Sequence, residues 1–143
     1  MLKALGGLWP RHLRRGAPAR PVGADVEDLL AVARQSFVRL QAAWDAADLG
    51  ALSALTTETL LLDLSEQLAA RGPGPNRTEV LALDARLLAV EELQEAFVAS
   101  VEFSGLIRER LDDGAAPFRE LWMLARLKTA DPGWRLARVQ ALG

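Results

Sequence analysis

The sequence contains no cysteine and no tyrosine, and its one histidine is His12. Without cysteine the chain has no disulfide and no thiol nucleophile, which fits a reducing compartment. Since residues 25–143 contain neither cysteine nor histidine, we expect no metal site and no cofactor there. The chain also lacks a run of about twenty apolar residues, the length that a transmembrane helix needs.

Charge is unevenly distributed along the chain. All five charged residues in 1–24 are basic, whereas from Asp25 onward nineteen acidic residues outnumber twelve basic ones. Half of the 143 residues are hydrophobic, enough for one globular domain with a sizeable core. We therefore expect a basic, flexible tail over residues 1–24 and a single domain over residues 25–143. Because an acidic domain offers no concentrated basic face to phosphates, we expect no nucleic-acid partner.

The tail combines basic and apolar residues with three prolines and four glycines. Its leucines and one tryptophan recur at three- and four-residue spacing beside arginines, a weak form of an interfacial membrane anchor. Each basic residue near an anionic membrane contributes about 1 kcal/mol, so the expected attachment is weak and salt-sensitive. The alternative is a disordered leader, or the remnant of a longer targeting region, with no membrane role. The predicted membrane-contact residues are Leu5, Trp9, Arg11, Arg14 and Arg15.

Helical periodicity begins at Asp25, which is predicted to cap the first helix. Apolar residues then recur at three- and four-residue steps, predicting an amphipathic helix of about 23 residues that ends at Gly50. A short helical turn follows. Thr56 or Thr57 is predicted to cap a further helix, which a Gly-Pro-Gly-Pro-Asn segment ends. The helices together occupy residues 25–71.

Four extended segments follow within residues 80–142, separated by short turns rich in acids, glycine and proline. Short connections predict an antiparallel meander. Gly105 lies in the middle of the second segment, where a bulge or bend would curl the sheet. Helices followed by strands predict an α+β fold. We expect N-terminal helices packed in the concave face of a curved, four-stranded antiparallel sheet.

Three stretches in order, FSGLIRER, PFRELWMLARL and DPGWRLARVQAL, carry a family resemblance. Together they resemble the C-terminal domain of subunit 44 of the mitochondrial translocase of the inner membrane and its bacterial relatives. Asp48 and Leu49 after the long helix, and the threonine-led helix from Thr56, also match. The resemblance covers residues 25–142. The matching strand positions are Phe103, Ser104, Gly105, Phe118, Glu120, Trp122, Trp134, Leu136, Ala137 and Gln140.

The resemblance implies the cone fold shared with nuclear transport factor two. It also implies a non-enzymatic binding or adaptor module, cytoplasmic and peripheral to the inner membrane, here of a bacterium, with protein partners. The long charged region through which the mitochondrial protein engages the import channel and chaperone is not in this sequence, nor is the transmembrane segment of many bacterial relatives. Met123 stands where relatives often have histidine. A role in an import motor therefore does not carry over.

The cone fold also hosts isomerases and dehydratases, so a cone-fold enzyme of unknown substrate is one alternative function, and a soluble dimerisation module is another. Such enzymes need a cavity acid or base and a neutral donor, usually tyrosine or histidine, which residues 25–143 lack. Cross-strand ion pairs with nearby arginines are the expected role of the strand carboxylates, and we expect no enzyme activity. The carboxylates are Asp84, Glu102 and Glu120, and the arginines are Arg86, Arg108, Arg119 and Arg126.

Apolar side chains are predicted on both faces of the third strand. Trp122 and Leu124 share one face and Leu121 and Met123 the other, so the outer face is predicted to meet a partner, such as a second copy in a homodimer. On the inner side we predict a cavity for an acyl chain or an apolar peptide. The predicted cavity residues are Phe37, Leu40, Trp44, Phe103, Trp122 and Leu124.

Overall fold

Helices precede the main strands in the chain, as the sequence predicts. The computed structural model describes residues 17–19, 23–72, 77–109, 114–129 and 133–142. The elements in chain order are β1 Ala17–Ala19, α1 Gly23–Asp45, α2 Leu49–Leu55, α3 Glu58–Arg71, β2 Glu79–Glu92, β3 Ala96–Arg108, β4 Ala116–Leu127 and β5 Arg135–Ala141. The predicted α+β architecture is confirmed.

The strands form one sheet in the order β1-β2-β3-β4-β5, with every neighbouring pair antiparallel. The four predicted strands form the expected meander. A short fifth strand, β1, pairs with the end of β2 at Val90–Glu92. Three residues predicted as part of the tail therefore join the sheet. Pro18 in β1 is tolerated because an edge strand leaves one row of backbone groups outside the ladder.

Two bulges interrupt β2 where it pairs with β3. The register shifts between Val80 and Ala82 and again between Leu87 and Ala89, which leaves Leu81 and Leu88 as extra residues. The first bulge lies beside Gly105 of β3, where a Cβ atom would lie 1.9 Å from the Ala82 carbonyl oxygen. Glycine is therefore required by close backbone approach, and the irregularity predicted at Gly105 is confirmed, with the extra residue on the partner strand.

α1 has the predicted length of 23 residues, but its ends differ from the prediction. It begins at Gly23, so Asp25 lies in the first turn and is not the cap. It ends before a turn in which Ala47 adopts a φ of 54°. Asp48 then accepts a hydrogen bond from the Ala51 amide at 3.0 Å and starts α2. Gly50 therefore lies inside α2, and the prediction that it ends the first helix is wrong.

All three helices pack on one face of the sheet. α3 begins at the predicted cap, since Thr57 Oγ1 accepts a hydrogen bond from the Leu60 amide at 3.4 Å. The helices and the inner faces of β3, β4 and β5 share one hydrophobic core. Its fully buried members include Phe37, Leu40, Leu52, Leu64, Val101, Phe103, Trp122, Leu124, Leu136 and Val139.

A polar contact fixes the end of α1 to the beginning of β2. The Thr78 amide donates to Asp45 Oδ2 at 2.6 Å, and the Thr78 hydroxyl donates to Asp45 Oδ1 at 3.0 Å. The contact joins groups 33 residues apart, so it closes the connection between the helical and strand regions.

We expect Asp45→Ala to lower the free energy of unfolding by about 2 kcal/mol, because the partly buried Thr78 amide and hydroxyl lose a charged acceptor. Urea unfolding measures the change. Asp84→Ala is the control, since Asp84 is exposed and lies opposite Ser104. Equal, small changes in both variants would show that the contact does not stabilise the fold.

The outer face of the sheet carries a second, smaller apolar cluster. Its buried members are Leu93, Ala96, Val98 and Ala125, and Met123 and Ala137 pack against them. The prediction that β4 has apolar residues on both faces is thus confirmed. Homodimerisation through this face stays a prediction.

Candidate functional site

The six predicted cavity residues lie together on the inner face of the sheet. α1 supplies three of them and β3 and β4 the other three, and all six are buried within the same hydrophobic core. The helix period and the strand alternation therefore placed these side chains correctly. They pack against one another, and the cavity for an acyl chain or peptide stays a prediction.

Phe37 is the centre of an aromatic cluster within this core. Its ring centroid lies 4.8 Å from that of Phe103, 4.9 Å from that of Trp122 and 5.5 Å from that of Phe118. Phe103 and Trp122 meet edge to face at 5.1 Å. Aromatic pairs in these geometries stabilise a core beyond the area they bury.

Glu120 is the acidic side chain of this inner face. It is only 4% exposed, and Trp122 Nε1 donates to its Oε1 at 3.4 Å. Burial raises the pKa of Glu120 from its ordinary 4.5 to about 7, and the Trp122 hydrogen bond opposes this only in part. The expected ion pair is absent at this position within the described residues, because Glu120 is paired in register with Phe103 and Ala141. A proton can therefore be bound or released here near neutral pH.

Two other strand carboxylates, Glu79 and Glu102, are neutralised across strands, as the sequence predicted for Glu102. The ion pair predicted for Asp84 is not found among the described residues, because Asp84 lies opposite Ser104. Arg86 binds Glu102 at 3.2 Å, directly opposite it in register. Arg108 binds Glu79 at 2.8 Å, and this hydrogen bond and charge lower the pKa of Glu79. Sequence reasoning missed Glu79, although it flanks the first predicted strand. These pairs lie at the surface, whereas Glu120 is buried in the core.

Arg126 has a different role from the predicted ion pair. Its guanidinium carbon lies 5.5 Å from the Phe97 ring centroid and 5.3 Å from the Trp134 centroid. These are cation–π distances, and they fix the end of β4 against its two neighbouring strands.

A cleft of about 510 Å³ separates the second half of α1 from the beginning of β2. Pockets of this size accommodate small ligands or short peptide segments. Sequence reasoning did not find it, because it depends on how α1 lies against β2. Its lining residues are Val38, Gln41, Ala42, Asp45, Thr78, Val80, Leu81, Ala82 and Leu83.

Gln41 is the unusual side chain of this cleft. It is 3% exposed, and neither its amide nitrogen nor its carbonyl oxygen has a hydrogen-bond partner among the described residues. Buried polar groups are nearly always paired, so such a group requires an explanation. The sequence held a signal: Gln41 lies four residues after Phe37 and three before Trp44, a polar residue within the apolar stripe of α1.

The predicted membrane-contact residues, Leu5, Trp9, Arg11, Arg14 and Arg15, lie outside the described residues. The membrane hypothesis therefore rests on the sequence pattern of residues 1–16.

Comparison with known proteins gives a family match and a similarity to solved structures. The model of the Tim44-like domain matches residues 14–141. No curated protein matches the sequence. Among solved structures, the chain is similar to a nuclear transport factor 2 (NTF2-like) superfamily protein from Salmonella enterica subsp. enterica serovar Typhimurium str. LT2, at 12% identity and a TM-score of 0.46. That similarity covers 85% of this chain and 93% of the other.

Proposed function

The chain belongs to the Tim44-like domain family, and from this premise we propose that it is a non-enzymatic, membrane-peripheral binding module. The family match carries the proposal, because it spans nearly the whole chain and begins at residue 14, within residues 1–16, which we call the basic segment. We further propose a cytoplasmic location on the inner membrane of a bacterium, an anionic membrane surface as one partner and a protein as another. Homodimerisation through the outer face of the sheet belongs to the same proposal.

The charges of the domain support a binding role over catalysis. Glu79, Glu92 and Glu102 each form an ion pair with a basic side chain, which is the arrangement of a structural surface. Within the ranges that the structure describes, no helix is long and apolar enough to cross a membrane. Attachment through residues 1–16, by basic and apolar side chains together, is the form of contact that the sequence supports.

We expect Arg14→Gln combined with Arg15→Gln to weaken binding to anionic vesicles roughly 25-fold, at about 1 kcal/mol for each charge. Co-sedimentation with phosphatidylglycerol-containing vesicles at low salt measures the partition. Binding to neutral phosphatidylcholine vesicles should be weak for both proteins. Because β1 begins at Ala17, a truncation that starts at Gly16 removes the predicted contacts and keeps the sheet intact.

Arg34→Gln combined with Arg39→Gln is the matched control, since both arginines are exposed on α1. Equal losses in the two double variants would assign binding to overall charge and not to the basic segment. Unchanged binding after truncation would move the contact to the domain, and no binding by the whole chain would remove the membrane function.

Glu120 favours a second candidate function, a cone-fold enzyme of unknown substrate. A buried carboxyl whose pKa is near 7 has the property of a general acid or base. Enzymes of this fold usually pair the cavity acid with a tyrosine or histidine donor, and residues 25–143 contain neither. The donor beside Glu120 is the Trp122 indole, which argues against catalysis. We therefore place the binding module first. If the wild-type protein turned over a hydrolase, isomerase or dehydratase substrate and the Glu120→Gln variant did not, the enzyme would become the preferred function.

A further inference from the structure

One edge of the sheet is only partly covered. β1 pairs with β2 at Val90–Glu92, and no other strand in the described part of the chain pairs with that side of β2. Within the described residues, the stretch from Glu79 to Ala89 is therefore an open edge, whose backbone N–H and C=O groups can accept another strand. Because β1 already pairs antiparallel with this edge at Val90–Glu92, a further strand would extend the same pairing along β2.

The cleft between α1 and β2 adjoins this open edge. Val80, Leu81 and Leu83 line it from the strand, and Val38 lines it from the helix. Leu81 is the extra residue of a bulge and 47% exposed, and Val38 is 53% exposed. Apolar side chains thus flank a row of backbone groups, which is the arrangement that receives an extended peptide in β-augmentation.

Gln41 adds a polar requirement to the cleft. A carboxamide presents one acceptor and one donor group side by side, and a peptide group presents the complementary N–H and C=O. Because Gln41 makes no hydrogen bond to a described residue, turning its amide toward a bound peptide breaks none of the described bonds. An acyl chain would leave the amide unpaired, so a peptide matches the cleft better.

Charge decides against an anionic ligand. Among the lining residues the one charged side chain is acidic, Asp45, which Thr78 holds by two hydrogen bonds. A fatty-acid carboxylate or a lipid phosphate would find no basic side chain among these lining residues. A neutral, apolar peptide needs none.

We propose that the cleft between α1 and β2 binds an extended, uncharged apolar peptide segment of a partner protein, which adds as a strand to the open edge of β2 and pairs with the Gln41 amide. None of the residues lining this cleft is one of the six predicted cavity residues or belongs to residues 1–16. The proposal does not depend on membrane binding.

The test uses a defined, uncharged probe, a peptide of alternating valine and threonine that is acetylated and amidated at its ends. Main-chain hydrogen bonds supply the affinity in β-augmentation, so a generic sequence is an adequate probe. We expect saturable amide NMR shifts in the whole chain, concentrated at the Val80–Leu83 stretch and at Gln41. The absence of saturable shifts there at about 1 mM peptide overturns the proposal.

Two leucines form a matched pair of variants. Leu81 and Leu88 are both bulge residues of β2 and both 47% exposed, but only Leu81 is among the residues lining the cleft. We expect Leu81→Lys to weaken peptide binding about tenfold and Leu88→Lys to change it less than about twofold. Equal losses in both variants overturn the assignment to the cleft.

Gln41→Leu separates recognition from folding. Removing an unpaired buried amide should keep or raise the midpoint of urea unfolding, while peptide binding weakens about fivefold. Unchanged binding with higher stability would show that Gln41 does not recognise the peptide. Shifts at the same residues on adding oleate or anionic vesicles, without shifts on adding the peptide, would assign the cleft to lipid and overturn the proposal.

Discussion

Replacing Glu120 by glutamine is expected to raise the free energy of unfolding by about 3 kcal/mol near pH 8 and to change it little near pH 4. The reason is that burial raises the pKa of Glu120 from 4.5 to about 7. Glutamine keeps a carbonyl oxygen that can accept from Trp122 Nε1 and carries no charge at any pH. The variant therefore escapes the cost of a buried carboxylate.

The direction of the pH dependence follows from the two protonation states. Below about pH 4.5 the carboxyl is protonated in both the folded and the unfolded chain, and the full stability is present. As pH rises from about 4.5 to about 7, the unfolded chain releases this proton while the folded chain retains it, so the stability of the wild-type protein falls. Above about pH 7 both forms are ionised and the loss stays constant at its maximum.

Urea unfolding of both proteins at several pH values between about 4 and 8 measures this difference. Glu102→Gln is the matched control, because Glu102 is paired with Arg86 at the surface and exposed pairs contribute little. A Glu120→Gln effect that is the same at every pH would show that folding does not raise the pKa of this carboxyl. That result would also remove the main support for the enzymatic alternative.

Replacing Gly105 by alanine is expected to lower the free energy of unfolding by about 3 kcal/mol. The new Cβ would lie 1.9 Å from the Ala82 carbonyl oxygen and 2.7 Å from its carbonyl carbon. These are backbone atoms, so relief requires β2 and β3 to separate at the bulge. Separation there would disturb Phe103, two residues away on the inner face, and with it the aromatic cluster around Phe37.

Gly114→Ala is the control for this substitution, because a Cβ at Gly114 meets nothing within 4 Å. Thermal and urea unfolding of the two variants measure the contrast. Similar stability in both would mean that the strands separate at little cost and that the close approach at Gly105 does not hold the sheet in register.

Sequence pattern alone determined the main elements because each carries a strong local signal. The apolar stripe of α1 fixed its length of 23 residues, and short turns between extended segments fixed the antiparallel meander. Alternation also placed Trp122 and Leu124 on the buried face of β4. A cross-strand ion pair was predicted for Glu102 because adjacent strands bring such side chains together, and the structure gives Arg86 as its partner.

The helix ends and β1 escaped prediction for local reasons. Asp48 starts α2 before Gly50 can end a helix, so the capping side chain outweighed the glycine. β1 has three residues and two of them are alanine, which leaves no periodic pattern to detect. Its position follows only from the edge that β2 presents to it.

Tertiary structure decided the chemistry of Glu120 and of the cleft. Alternation placed Glu120 on the same face as Trp122, but only the register of β3 and β5 against β4 set it opposite Phe103 and Ala141 and away from arginine. The raised pKa of Glu120 and the unpaired amide of Gln41 both depend on which groups other helices and strands place around them. Such long-range pairing is not encoded in any local pattern, because a shift of one residue changes every neighbour on the face.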